Sequence, residues 1–183
     1  MTRLLTLLLC LLPTTVLAFG LGDLQRRLEA TPSLEGRFVQ TRHLADLDSQ
    51  LESTGHFRYE RDARVVWTLE TPVEERLEFS ADAPPELGAG DRRQAEAATL
   101  FLDLLQGHWQ ALEERFTLSL SGDADAWRVT LRPRQAALRQ RIDEIRLRGG
   151  RYLERLALDA TNGDRLRVRL SDQRPVETGD AAP

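Results

Sequence analysis

From Leu34 onward the apolar residues of this chain recur at every second position, and that period limits the fold more than any other feature. Leu34, Gly36, Phe38 and Gln40 fall on one face of a first strand, and Leu51, Ser53, Gly55, Phe57 and Tyr59 on one face of a second. Val65, Trp67 and Leu69 carry the alternation into a third strand; Val73, Leu77 and Phe79 carry it into a fourth. The opposite faces hold Glu52, Thr54, Arg58, Glu60, Thr68, Glu70, Glu74, Arg76 and Glu78. Successive side chains of a strand point to opposite faces. These segments therefore predict a sheet with one dry and one wet side, which is an antiparallel sheet.

The same period returns in the second half. Phe116, Leu118 and Leu120 alternate with Thr117, Ser119 and Ser121, and Trp127, Val129 and Leu131 with Arg128, Thr130 and Arg132. Ile145 and Leu147, then Tyr152, Leu156 and Leu158, then Leu166, Val168 and Leu170 repeat the rule against outward arginines. Gly122-Asp123, Gly149-Gly150 and Asn162-Gly163 supply hairpin turns. Residues 115–171 read as a meander of four or five strands. From Ser171 the chain is polar and contains Pro175 and Pro183, so residues 172–183 are expected to fray as a flexible tail.

Between and before the strand groups the period becomes helical. Leu21, Leu24 and Leu28 predict a short amphipathic helix over residues 20–30, ended by Thr31-Pro32. Residues 81–90, with Pro84-Pro85 and two glycines, form a loop. Asp91 to Gln94 has the form of a capping box, and Ala97, Leu100, Phe101, Leu104 and Leu105 make one apolar helix face that ends at Gly107. A shorter helix is expected over residues 109–114. A single antiparallel sheet of this length curls, and only the helical segments can close its apolar concave face. The period does not say whether the enclosed space is filled or hollow.

The first eighteen residues stand outside this fold. Arg3 gives a positive start, residues 4–16 are nearly unbroken apolar chain, and Val16 and Ala18 occupy the positions a signal peptidase reads. The stretch is shorter than the ~20 residues a spanning helix needs. Residues 1–18 are thus expected to be a cleaved signal peptide, with an exported mature chain starting near Phe19. The only cysteine, Cys10, lies in that segment and follows Leu9 where a lipid-attachment motif wants a small residue. No disulfide or thiol chemistry is expected in the mature domain, residues 19–171.

Charge and motif exclude several functions. Every basic residue is Arg, and residues 19–183 hold 24 of them against 29 acids, a balance unsuited to nucleic acid. The charge is unevenly spread: residues 19–125 carry 11 Arg and 21 acids, residues 126–170 carry 12 Arg and 5 acids. Such asymmetry can orient a partner or an anionic surface, or simply be a solvated sheet face. His43, Asp46 and Asp48 lack a further ligand and read as a solvated loop, so no metal or other cofactor is expected. His56 and His108 have no neighbouring nucleophile, and Glu74-Glu75 and Glu113-Glu114 diverge, so no catalytic pair is assigned.

Phe38-Val-Gln40, then Gly55, Arg61 six residues on, Trp67 six beyond and Pro72 five after that resemble the opening strands of LolA-type periplasmic carriers of outer-membrane lipoproteins. Trp127 to Pro133 and Ile142 to Leu158 resemble that family's second strand group, so the likeness spans nearly the whole mature chain. It implies an incomplete, half-open β-barrel under a helical lid, an apolar cavity for acyl chains, and no chemistry. It also implies that Arg61 is the latch that hydrogen-bonds the lid closed; the alternative is a plain surface arginine. Two features depart from the pattern: the loop at 81–90 replaces a segment built around Asp-Gly and Trp-x-Tyr, and the chain stops before the family's final strand region. The sequence in this respect looks like a divergent branch.

The expected fold is α+β and mainly β, a curved antiparallel half-barrel with helices as its lid. Phe38, Phe57, Trp67, Leu69, Leu77 and Phe79 on the sheet face the same side as Leu100, Phe101 and Leu104 on the covering helix and form the expected cavity wall. Gly36 and Gly55 are expected to leave room beneath the lid. Two functions follow. One is a monomeric carrier of lipoprotein acyl chains or another envelope lipid, with an inner-membrane exporter and an outer-membrane acceptor as partners. The other is a non-enzymatic interaction module with a filled core, docking an envelope complex through its Arg-rich strand face.

Overall fold

The computed structural model describes residues 19–61, 63–80, 103 and 109–176. The chain opens with helix α1, Leu21–Glu29, whose buried Leu24 and Leu28 lie one turn apart on the core side. The Asp23 carboxylate accepts the Gly20 N–H at 2.8 Å and satisfies one donor that the first turn leaves free.

Among the described residues nine strands follow: β1 (Leu34–Leu44), β2 (Ser49–Glu60), β3 (Arg64–Thr71), β4 (Glu75–Ser80), β5 (Phe116–Ser121), β6 (Trp127–Pro133), β7 (Ile142–Gly149), β8 (Leu153–Ala160) and β9 (Arg165–Pro175). Helix α2, Trp109–Arg115, precedes β5, and a single turn, α3 at Ala136–Arg139, links β6 to β7. All strands belong to one sheet, in the order β4-β3-β2-β1-β9-β8-β7-β6-β5, and every pairing is antiparallel. Two meanders, β1–β4 and β5–β9, thus join through the pairing of the first strand with the last. Strands β4 and β5 stand at opposite edges, so the sheet does not close into a barrel.

The predicted alternation places the core. Inner-face residues from all nine strands form one apolar cluster with Leu24 and Leu28 of α1 and Trp109 and Leu112 of α2. Both helices therefore pack on the concave side. The architecture is the open α+β half-barrel expected from the sequence. At two hairpins the turn glycine has φ +88°, at Gly122 and Gly163, a conformation that L side chains rarely adopt.

Four places in the strands differ from the pattern expected of the sequence. Val73, expected on the fourth apolar face, lies in the turn before β4 and is 71% exposed. Leu51 keeps its place in β2 yet is exposed, because the start of that strand runs beyond the packed region. Strand β9 continues past Ser171 to Pro175, where fraying was expected. An irregularity between Glu35 and Arg37 lets Arg174 and Pro175 pair with Glu35 and Leu34, and the Val176 N–H donates to the Ser33 carbonyl at 2.9 Å. In β8 an irregularity next to Gly149 makes Leu153, rather than Tyr152, the first buried residue.

Candidate functional site

The first four strands build an aromatic layer on the inner face. Phe38 pairs across the strands with Gly55, and Phe57 with Gly36, so each ring faces a residue without a side chain. Trp67 pairs with Phe57 on its other side. Its ring stacks on Phe38 with centroids 3.9 Å apart and planes at 24°, and on Phe57 at 6.0 Å and 26°. Leu77 and Phe79 extend the layer onto the edge strand, opposite Trp67 and Val65. Phe38, Phe57, Trp67, Leu77 and Phe79 are buried, while Leu69 packs half-buried against them. Six of the nine predicted wall residues thus stand together; Leu100, Phe101 and Leu104 lie outside the described residues.

The glycines do not leave the space expected of them. A β-carbon on Gly36 would come 2.8 Å from Phe57 Cε1 and 2.8 Å from the Ser171 carbonyl oxygen. One on Gly55 would come 1.9 Å from the Thr68 carbonyl oxygen and 2.9 Å from Phe38 Cζ. Their missing side chains are replaced by the neighbouring phenyl rings, a filling that cross-strand aromatics give glycine in sheets. The rings fill the wall at these positions and are themselves buried.

Arg61 follows β2 and is exposed. Its guanidinium donates from Nη1 to the Thr31 carbonyl at 2.6 Å, and its backbone N–H to Ser33 Oγ at 3.0 Å. Thr31 and Ser33 are buried polar residues that connect α1 to β1. Arg61 therefore ties the β2–β3 turn to the end of α1. The covering segment around residues 91–107, on which the latch role depends, lies outside the described residues apart from Asp103.

A second arginine tie was not anticipated. Arg27, in the last turn of α1, donates from Nη1 to the Gly150 carbonyl at 3.1 Å and also to the Ala124 carbonyl, which anchors the helix to the turns flanking β6 and β7. Trp127 Nε1 donates to the same Gly150 carbonyl at 2.8 Å. In the sequence Arg27 reads only as a cation suited to a helix C-terminus; its partners are 97 and 123 residues away. A cleft of about 460 Å³ opens here, lined by Arg27, Thr31, Pro32, Asp125, Arg151 and Tyr152. None of the aromatic wall residues borders it, and its charged lining does not suit an acyl chain.

On the outer face of the first strand group, several carboxylates and cations pair. Glu70, the extra residue where β3 slips in register, faces Arg37 and His56 at 3.2 and 3.0 Å. Arg64 reaches Glu60 and Glu78, each at 2.8 Å. The hydrogen bond from Arg64, against a smaller opposing effect of burial, holds the Glu60 carboxyl below the usual carboxylate range. Among the described residues no group of three His, Cys, Asp or Glu is placed to hold a metal ion.

The fold has parallels among known proteins. A family model described as outer membrane lipoprotein carrier protein LolA-like matches residues 17–172. A LolA superfamily protein of Nitrosomonas europaea superposes with a TM-score of 0.50 at 8% identity, over 89% of this chain and 96% of that one. A chain of the Pseudomonas aeruginosa MucA/MucB complex gives 0.51 at 15% identity, over 85% of this chain and 58% of its own length. At such identities the likeness concerns the fold alone. A search of curated protein sequences finds no match. Because the family model runs from the start of α1 into the last strand, the chain belongs to the outer membrane lipoprotein carrier protein LolA-like family.

Proposed function

We propose that this protein is an exported, non-enzymatic carrier that takes the acyl chains of lipoproteins, or of another amphipathic envelope lipid, against the concave face of its sheet in the periplasm and delivers them towards the outer membrane. The observation that carries this reading is the open half-barrel whose inner face bears the stacked layer of Phe38, Phe57 and Trp67. Flat rings of this kind offer apolar faces. Each methylene moved from water onto such a surface gains about 0.8 kcal/mol, so roughly ten give micromolar binding. Arg61 acts in this scheme as the latch between the sheet and the segment that covers it.

Mass spectrometry of organic extracts of the purified protein, together with titration of an environment-sensitive fatty-acid probe, tests the carrier. Co-purified lipid and a probe signal displaced by long-chain lipid are expected. A folded protein that binds no acyl probe would exclude the carrier.

The filled glycine positions favour a second reading. With Phe38 over Gly55 and Phe57 over Gly36, the wall itself is closely packed, as in an interaction module that engages an envelope complex by its outer surface. Absence of lipid from the extracts, with retention of a protein partner, would select this alternative.

A further inference from the structure

One transverse row of the outer face is unlike the rest. Ser121 pairs with Arg128, Arg128 with Arg148, Arg148 with Arg155, and Arg155 with Arg169. The row continues through Val39, Thr54 and Thr71. Four arginines on four adjacent strands thus stand directly opposite one another, and the row holds no carboxylate. At the usual strand spacing they span about 14 Å.

All four are exposed, and none of their side chains makes a hydrogen bond or ion pair with another described residue. The nearby acids on this face are already engaged: Glu144 by Arg132 and Arg146, Asp159 by Arg146 and Arg167. Glu154, beside Arg155 in the β8 irregularity, pairs with none of the four. On the other half of the sheet Arg37, Arg58 and Arg64 all face glutamates. Like charges directly opposite on a sheet are destabilising. Within the second strand group, therefore, this one row stands apart: its four guanidinium groups are aligned without a carboxylate partner, while Arg132, Arg146 and Arg167 beside it are paired.

We propose that this row docks the protein on an anionic lipid bilayer, with the guanidinium groups on headgroup phosphates. A guanidinium matches phosphate oxygens with paired N–H donors. Besides the arginines, the outward residues that flank the row include Ser121, Thr130, Ala157 and Val39, and none of these is aromatic. Specific protein interfaces rely on aromatic anchors at their centre. A diffuse anionic surface needs only the charges, and it complements a row that has no carboxylate of its own.

Sedimentation with vesicles tests the proposal. The purified protein is expected to bind vesicles of phosphatidylcholine and phosphatidylglycerol in equal parts far better than phosphatidylcholine alone, and to release them as salt rises. The double substitution R148Q/R155Q should weaken this binding about thirtyfold, from the typical contribution of a basic residue near an anionic membrane. R37Q/R64Q changes the charge equally on the paired half and should leave binding within a factor of about two, since partnered charges contribute little. Equal binding to both vesicle types, no binding to either, or equal loss in the two double variants would overturn the proposal. So would polyglutamate binding more tightly than the anionic vesicles, which would assign the row to an acidic protein segment. Uptake of the fatty-acid probe should be unchanged in R148Q/R155Q, so failure of membrane docking and failure of the carrier reading are separately visible.

Discussion

Phe38 and Gly55 face each other across β1 and β2, and the ring occupies the space a side chain on the glycine would need, with Cζ 2.9 Å from the β-carbon position. The Thr68 carbonyl lies closer still, at 1.9 Å, so even one methyl meets the backbone of β3. Gly55→Ala must part β2 from β3 or drive Phe38 off Trp67. Overpacking costs about 1–3 kcal/mol, and collision with backbone places this site at about 3 kcal/mol. Denaturant unfolding should show that loss; a midpoint equal to wild type would mean that the strands separate without cost.

Trp67 holds the layer together from above. It stacks on both Phe38 and Phe57, and its removal leaves a void that two rings cannot fill by rotation. Trp67→Ala is expected to cost about 3–5 kcal/mol in chemical denaturation. Under the carrier reading it also weakens the fatty-acid probe. A stable Trp67→Ala variant with undiminished probe binding would move the lipid surface elsewhere.

The residues that determine the architecture act locally, and for that reason the sequence displays them. Alternation at Phe57-Tyr59 or Trp127-Val129-Leu131 reports which side is dry, and Asn162-Gly163 reports a turn, whatever the partners. Non-local facts were hidden. That β1 pairs with β9, keeping residues 171–175 in the sheet, depends on a register shift between Glu35 and Arg37 that no period reveals. That Gly36 and Gly55 are filled depends on which ring sits across from them, a matter of register between strands. Arg27 is ordinary in its helix and becomes a tie only because the turns at Ala124 and Gly150 are folded against it.

Arg61 offers a test of the joint between helix and sheet. Its hydrogen bond to the Thr31 carbonyl is charge-assisted, and such bonds contribute about 1.5–3 kcal/mol; solvent exposure of the guanidinium places this one at the lower end. Arg61→Leu should destabilise the protein by about 1–2 kcal/mol and speed amide exchange around Thr31 and Ser33. If Arg61 is also the latch, the variant takes up the fatty-acid probe but releases it at a different rate. Wild-type kinetics in both directions would confine Arg61 to the joint.

Glu60 gives the outer face a defined response to acid. Its carboxyl is held below the usual carboxylate range, first by the hydrogen bond from Arg64, so the folded protein takes up this proton less readily than the unfolded chain. The contribution is complete above the unfolded value of about 4.3 and fades as the pH falls through the lower folded value. Stability should therefore decline on acidification below about pH 4.3, in part through this group. Glu60→Gln removes the titration while keeping the size of the side chain. The difference in unfolding free energy between wild type and Glu60→Gln should be largest near neutral pH and shrink towards pH 3. A difference independent of pH would assign the role of Glu60 to packing rather than to its charge.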